Sequence, residues 1–123
     1  METVSISIPA SPSYIGVVRL VAAGLASRVG FTLDEIEDLK IGVDELSAYL
    51  TGAQGREGTL RIRFEIEGPR IEIAGVGELA PGQKVRTDLT ELSQMILATV
   101  VDEATLAQPD GSPTFNLVKT RKS

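Results

Sequence analysis

The chain has 123 residues, neither cysteine nor histidine, and 17 acidic against 12 basic side chains, for a net charge of −5. This composition excludes disulfides, thiol or imidazole catalysis and the usual zinc ligands, so no metal site is predicted. The negative balance disfavours direct contact with nucleic acid. The length predicts one domain, covering residues 1–123, built around a single core.

The N-terminal segment alternates apolar and polar residues, because Val4, Ile6 and Ile8 are separated by serines. This period of two predicts a β-strand with one wet face, which ends at Pro9 because proline cannot donate to a strand ladder. The first residues, METVSISIPA, lack the basic region and the cleavage pattern of a secretory signal, so we do not expect them to be one. The uncharged run at residues 20–27 is far shorter than the roughly 20 residues of a membrane span. We therefore expect a cytoplasmic protein with no membrane partner.

A first helix is predicted from Ser13 or Tyr14 to about Val29, and it is apolar on more than one side. Its stripe comprises Tyr14, Val17, Val18, Val21, Leu25 and Val29. Two interpretations stay open: a central core helix, or a helix that also forms a protein interface and, with the first strand, a homodimer. The predicted interface residues are Tyr14, Val18, Arg19, Ala22 and Leu25. Arg19 would offer its guanidinium to a partner carboxylate, or else be solvated or paired within its own chain.

A second helix is predicted over residues 32–50. Thr32 followed three residues later by Glu35 is a capping-box pattern, which marks the start of a helix. Its inward stripe comprises Ile36, Leu39, Val43, Leu46 and Leu50. Glu45 and Tyr49 are four residues apart, so they share one helix face.

The second half of the chain predicts a hairpin, a third helix and two short strands. Leu60, Ile62, Phe64 and Ile66 alternate with charged residues, and Ile71 and Ile73 resume the pattern after a Gly68-Pro69 turn. The third helix is predicted to begin at an Asp88–Glu91 capping box and to turn Leu89, Leu92, Ile96 and Val100 inward. The two strands surround residues 109–112.

The succession PASPSYIGVVRLVAAGLASRVGF and LDEIEDLKIGVDEL resembles the N-terminal half of the anti-sigma-factor protein serine kinases, a branch of the histidine-kinase-like ATPase superfamily. This resemblance implies an α/β two-layer sandwich with the histidine-kinase-like ATPase fold. A mixed, largely antiparallel sheet of about five strands would be covered on one face by three helices.

The resemblance also implies a nucleotide pocket, in which this sequence departs from the family at three places. The family's Glu-x-x-x-Asn pair, a general base and a magnesium ligand, is matched by Glu45 but has Tyr49 in place of Asn. The family's adenine-binding Asp-x-Gly-x-Gly is matched by Gly75 and Gly77 but has Ile73 in place of Asp. The glycine-rich turn that holds the triphosphate corresponds to residues 92–95, which contain no glycine and end at Met95. No cofactor is therefore expected, with Mg-ATP as the ligand only if the ancestral site survives.

Two functions follow from the resemblance. The first is an anti-sigma regulatory factor, or a relative in a partner-switching circuit, that binds a sigma factor or its antagonist by protein contacts. The acidic charge supports it, because sigma factors carry basic DNA-contacting surfaces. The alternative is an ATP-dependent protein serine kinase that phosphorylates the antagonist with Glu45 as base, and a purely structural homodimer is a third class.

Overall fold

Three helices form one layer of the protein, which a computed structural model describes for residues 1–122. They are α1 (Ile15–Val29), α2 (Leu33–Thr51) and α3 (Glu91–Val100). α2 begins at the predicted capping box, because the Thr32 hydroxyl accepts from the Glu35 N–H at 3.1 Å and the Glu35 carboxylate accepts from the Thr32 N–H at 2.8 Å. Within the described residues no helix combines the length and apolar composition that crossing a membrane requires.

A five-stranded sheet forms the second layer. Its strands are β1 (Glu2–Pro9), β2 (Gly58–Glu67), β3 (Arg70–Leu79), β4 (Glu103–Ala107) and β5 (Thr114–Thr120). They lie in the order β1-β2-β3-β5-β4, and every neighbouring pair is antiparallel where a mixed sheet was predicted. Two successive helices join β1 to β2 and so return the chain in the opposite direction. The single helix α3 joins β3 to β4, but β5 lies between these two strands, so they do not form a parallel pair.

The core lies between the layers and follows the predicted periodicities. Leu60, Ile62 and Phe64 of β2 are buried, as are Ile71 and Ile73 of β3. From α2 they meet Leu39, Val43, Leu46 and Leu50, none of which has exposed surface. The predictions of the hairpin and of the α2 stripe are confirmed.

The inward face of α1 differs from the predicted stripe. Its core residues are Ile15, Val18, Ala22 and Ala26, while Tyr14 and Val17 are each 42% exposed. The prediction that Val18 and Ala22 lie at a protein interface is therefore wrong, because both side chains are fully buried inside the chain. The two alanines bring α1 close to its neighbours, since a small side chain permits close backbone approach.

The start of α3 also differs from the prediction. Thr90, and not Asp88, is the N-cap residue, because its hydroxyl accepts from the Ser93 N–H at 3.0 Å. The helix consequently turns Ser93, Leu97 and Val100 inward. Leu92, predicted to face the core, is 66% exposed.

Candidate functional site

A cluster of hydrogen-bonded side chains lies where α2 meets the N-terminus of α3. Glu45 and Tyr49 extend from one face of α2, as predicted from their spacing, and Ser93 extends from α3. The Ser93 hydroxyl donates to a Glu45 carboxylate oxygen at 2.6 Å and lies 2.7 Å from the Tyr49 hydroxyl. The Tyr49 hydroxyl also accepts from the Thr90 N–H at 3.1 Å, and the Thr90 hydroxyl donates to Ser93 Oγ at 3.0 Å. We call these four residues the Tyr49 network.

Every proton in the Tyr49 network has a defined acceptor. Ser93 gives its only hydroxyl proton to Glu45, so the Tyr49 hydroxyl must donate to Ser93 Oγ. With the Thr90 hydroxyl as a second donor, both lone pairs of Ser93 Oγ are used. Ser93 therefore has no free lone pair with which to act as a nucleophile.

The hydrogen bonds of the network also set its electrostatics. Partial burial raises the pKa of the Tyr49 phenol, whereas the hydrogen bond that its oxygen accepts from the Thr90 amide favours the charged form and lowers that pKa. The Glu45 carboxylate, the base in the implied kinase mechanism, already accepts a short hydrogen bond. A base must be within reach of the substrate proton that it removes, and this oxygen is held by Ser93.

The other predicted pocket residues lie apart from this network. Ile73 has no exposed surface and belongs to the core, where it lies opposite Phe64 and Leu117 in the sheet register. Met95 is 68% exposed on α3. A groove of about 720 Å³ lies on the sheet face away from the helices, and none of the six predicted pocket residues lines it.

Gly75 and Gly77 lie within β3 rather than in a turn. A Cβ atom at Gly75 would lie 2.4 Å from the ring of Phe115, which is closer than carbon atoms can approach. A Cβ atom at Gly77 would lie 3.0 Å from Pro113. Both glycines are thus explained by the side chains that pack on them from the end of the chain, and an adenine ring is not needed to account for them.

The residues present do not fit Mg-ATP as the family resemblance would place it. The buried Ile73 side chain has no acceptor for the adenine amino group. Tyr49 occupies the position of the magnesium-binding Asn, and its hydroxyl is already bonded to Ser93 and Thr90. Residues 1–122 contain no group of three or more acidic side chains placed to hold a metal ion.

A second candidate site lies on the outer surface of α1 and α2. Arg19 donates to Asp44 at 2.6 Å, so it is paired within its own chain, and the two side chains remain 40% and 45% exposed. Of the other predicted interface residues, Tyr14 is exposed and Leu25 is half-buried. Leu20, which the sequence did not single out, is 74% exposed beside them. We call Tyr14, Val17, Arg19, Leu20, Lys40 and Asp44 the α1–α2 surface.

Sequence reasoning also missed Ser93, Thr90 and Asp44. Ser93 is 44 positions from Tyr49, and Asp44 is 25 from Arg19. Helical periodicity relates residues only within one element, so these contacts left no signal in the sequence pattern.

Comparison with known proteins identifies the relatives of the chain. No family model matches it. It is 32% identical to the serine-protein kinase RsbW of Halalkalibacterium halodurans over 127 residues, covering 89% of this chain and 78% of the relative. It is 30% identical to the protein of that name from Bacillus licheniformis, covering 96% of this chain and 85% of the relative. It is 40% identical to the serine-protein kinase RsbW of Bacillus subtilis, in an alignment that covers 58% of this chain and 47% of the relative.

In the alignments with the Bacillus pumilus and Bacillus subtilis proteins, the chain spans about half of each relative's length. The Halalkalibacterium and Bacillus licheniformis alignments extend over most of both partners. Together with the two-layer fold and the position of Glu45 on α2, these matches confirm the predicted relationship. The chain belongs to the anti-sigma-factor protein serine kinase family, the family of the RsbW kinases.

Proposed function

We propose that the chain is an anti-sigma regulatory factor of the partner-switching kind, which acts in the cytoplasm by binding a sigma factor or its antagonist. The observation that carries this proposal is the Tyr49 network. At the positions where the family binds metal and triphosphate, the side chains of this protein bind one another. Phosphoryl transfer depends almost entirely on positioning and charge neutralisation, and both need those positions free.

The α1–α2 surface is the proposed contact area. It combines exposed apolar side chains, Val17 and Leu20, with the Arg19–Asp44 ion pair. A shallow cavity of about 480 Å³ runs beside them and is partly lined by Lys40. Of the α1–α2 surface residues, Tyr14 and Arg19 belong to the types that are enriched at binding hot spots. The net charge of −5 would speed encounter with a basic partner.

Capture of partners tests the proposal. The protein, immobilised, is offered the sigma factors and antagonists of its host, with and without Mg-ATP. We expect one of them to be retained, and Arg19→Glu to weaken its binding by roughly 2–4 kcal/mol, the range for truncating or reversing one side of a buried interfacial charge contact. If the wild-type protein retains no sigma factor and no antagonist, the proposed function is wrong.

The ion pair with Asp44 requires a matched control. Arg19→Glu also sets two carboxylates against each other, so the double variant Arg19→Glu/Asp44→Arg restores an ion pair with the charges exchanged. Both side chains are substantially exposed, so neither variant should unfold the protein. If the double variant binds like the wild type, the ion pair is what matters, and the assignment of Arg19 to the partner contact is wrong.

A second candidate function is a protein serine kinase, favoured by the retained Glu45 and by the name of the relatives. It predicts transfer of labelled phosphate from Mg-ATP to a captured antagonist, and loss of that transfer in Glu45→Gln. Our proposal predicts that no phosphate is transferred. It also predicts that calorimetry with Mg-ATP detects no binding in the micromolar range. A micromolar dissociation constant would show that other residues have replaced the missing nucleotide contacts.

A further inference from the structure

We infer that the Tyr49 network takes the place of a nucleotide in holding residues 80–90 and the start of α3 against α2. We call residues 80–90 the connecting segment, since they join β3 to α3. The inference deepens the proposed function and rests on it in one respect: the partner-binding form of the protein then exists without ATP.

The first observation is that side chains of the protein itself use the amide groups at the α3 N-terminus. The first N–H groups of any helix lack partners within the helix, and for that reason they bind anions. Here the Thr90 N–H donates to Tyr49 and the Ser93 N–H donates to the Thr90 hydroxyl. Two of the amide donors that a triphosphate could use at this end are therefore already bonded to side chains of the protein.

The second observation is that Arg56 holds the middle of the connecting segment. Its guanidinium donates to the Lys84 carbonyl at 2.8 Å and to the Leu50 carbonyl, in the last turn of α2, at 2.9 Å. The backbone N–H of Arg56 donates to the Ala10 carbonyl at 2.8 Å. At the start of the segment, the Ala80 N–H donates to the Glu57 carbonyl at 2.9 Å. The segment is thus held at Ala80, Lys84 and Thr90 by contacts that require no ligand.

The third observation concerns why tyrosine suits position 49. The phenol ring packs against the core, and its hydroxyl spans the junction to reach both Thr90 and Ser93. A tyrosine has two side-chain torsions, so little conformational entropy is lost when it is fixed in this way. The chain of bonds ends at the Glu45 carboxylate, and a charged acceptor strengthens a hydrogen bond.

Hydrogen–deuterium exchange of the isolated protein tests the inference without any partner. In the wild type, the amides of Thr90 and Ser93 should be protected, and saturating Mg-ATP should leave exchange across residues 80–93 unchanged. Tyr49→Phe keeps the ring and removes only the hydroxyl, so exchange at Thr90 and Ser93 should become about tenfold faster while the sheet amides stay protected. The matched control is Tyr14→Phe, at the other tyrosine, which is exposed ahead of α1 and should leave α3 unchanged.

Two exchange results would overturn the inference. One is a wild-type connecting segment that exchanges freely until Mg-ATP is added, and the other is equal protection of α3 in wild type and Tyr49→Phe. The capture of a sigma factor or antagonist is a further test. Equal capture with and without Mg-ATP supports the inference, and capture that requires Mg-ATP contradicts it. If no partner is captured, the proposed function fails, and the exchange results still decide the role of Tyr49.

Discussion

At the scale of single residues, Glu35 joins the start of α2 to the C-terminal end of the chain. One carboxylate oxygen accepts from the Thr32 N–H in the capping box of α2, and the other accepts from the Lys122 N–H at 2.8 Å. The hydrogen bond from the Lys122 amide, followed by that from Thr32, holds the pKa of Glu35 below its ordinary value, and the charge of Lys119 adds to the effect. A residue recognised as a helix cap therefore also anchors the C-terminal end of the chain.

This lowered pKa predicts a pH-dependent stability. The pKa of Glu35 is lower in the folded state than in the unfolded state, so its contribution is complete above the unfolded pKa and is lost as the pH falls through the folded pKa. Urea midpoints measured from neutral pH into the acid range should fall more steeply for the wild type than for Glu35→Gln.

The control for this prediction is Glu37→Gln on the same helix. Glu37 is exposed and pairs only with Lys40, at 3.2 Å, among residues 1–122. Its midpoint curve should run parallel to that of the wild type. Parallel curves for wild type and Glu35→Gln would instead contradict the role given to Glu35.

At the scale of elements, the pairing of β3 with β5 explains the glycines of β3. Gly75 lies opposite Phe115 in the register, and the Phe115 ring lies across the glycine backbone. The ring has no exposed surface, so it cannot turn outward to make room without leaving the core. Gly75 and Phe115 are 40 residues apart in sequence, and the large side chain at one position requires glycine at the other.

Gly75→Ala should destabilise the protein by about 1–3 kcal/mol, the usual effect of overpacking a core. The measurement is the free energy of unfolding in urea. Gly24→Ala is the matched control, because a Cβ atom at that exposed position of α1 meets nothing within 4 Å. It should stabilise the protein by roughly 0.5–1 kcal/mol, since alanine favours a helix over glycine. A Gly75→Ala variant as stable as the wild type would show that Phe115 can move.

At the scale of the whole molecule, no element of residues 1–122 covers the outer face of the sheet or its two edges. β1 is one of the edge strands, and an edge strand presents unpaired backbone donors and acceptors. The homodimer predicted from the sequence no longer has Val18 and Ala22 in its interface, because both are buried within the chain. We propose that the predicted dimer forms through the β1 edge.

Light scattering should give a dimer mass at tens of micromolar protein. The variants Val4→Pro and Ser5→Pro in β1 test whether this edge forms the dimer. Of two adjacent residues on an edge strand, one directs its N–H toward the neighbouring strand and the other directs it away from the sheet. Proline at the position whose N–H points away from the sheet should produce monomers while the fold is retained. A monomer mass for the wild type at this concentration would remove the proposed dimer.

Much of the fold could be predicted because its signals are local. The alternation in β2, the stripe of α2 and its capping box all lie within spans of twenty residues, where helix and strand geometry alone place the side chains. Glu45 and Tyr49 were placed on one face of α2 by the same rule. The family relationship rested on this half of the chain.

Tertiary structure decided the rest, since it depended on which elements meet. Asp88 and Thr90 are both good N-cap residues, and in the folded protein it is Thr90 that caps α3 while its N–H donates to Tyr49 of α2. Val18 is apolar whether it faces a core or a partner, and the packing of α1 determined that it faces the core. The sequence by itself thus determined the elements and the family. Their packing decided what Tyr49 and Gly75 contact, because those partners are about 40 residues away in the chain.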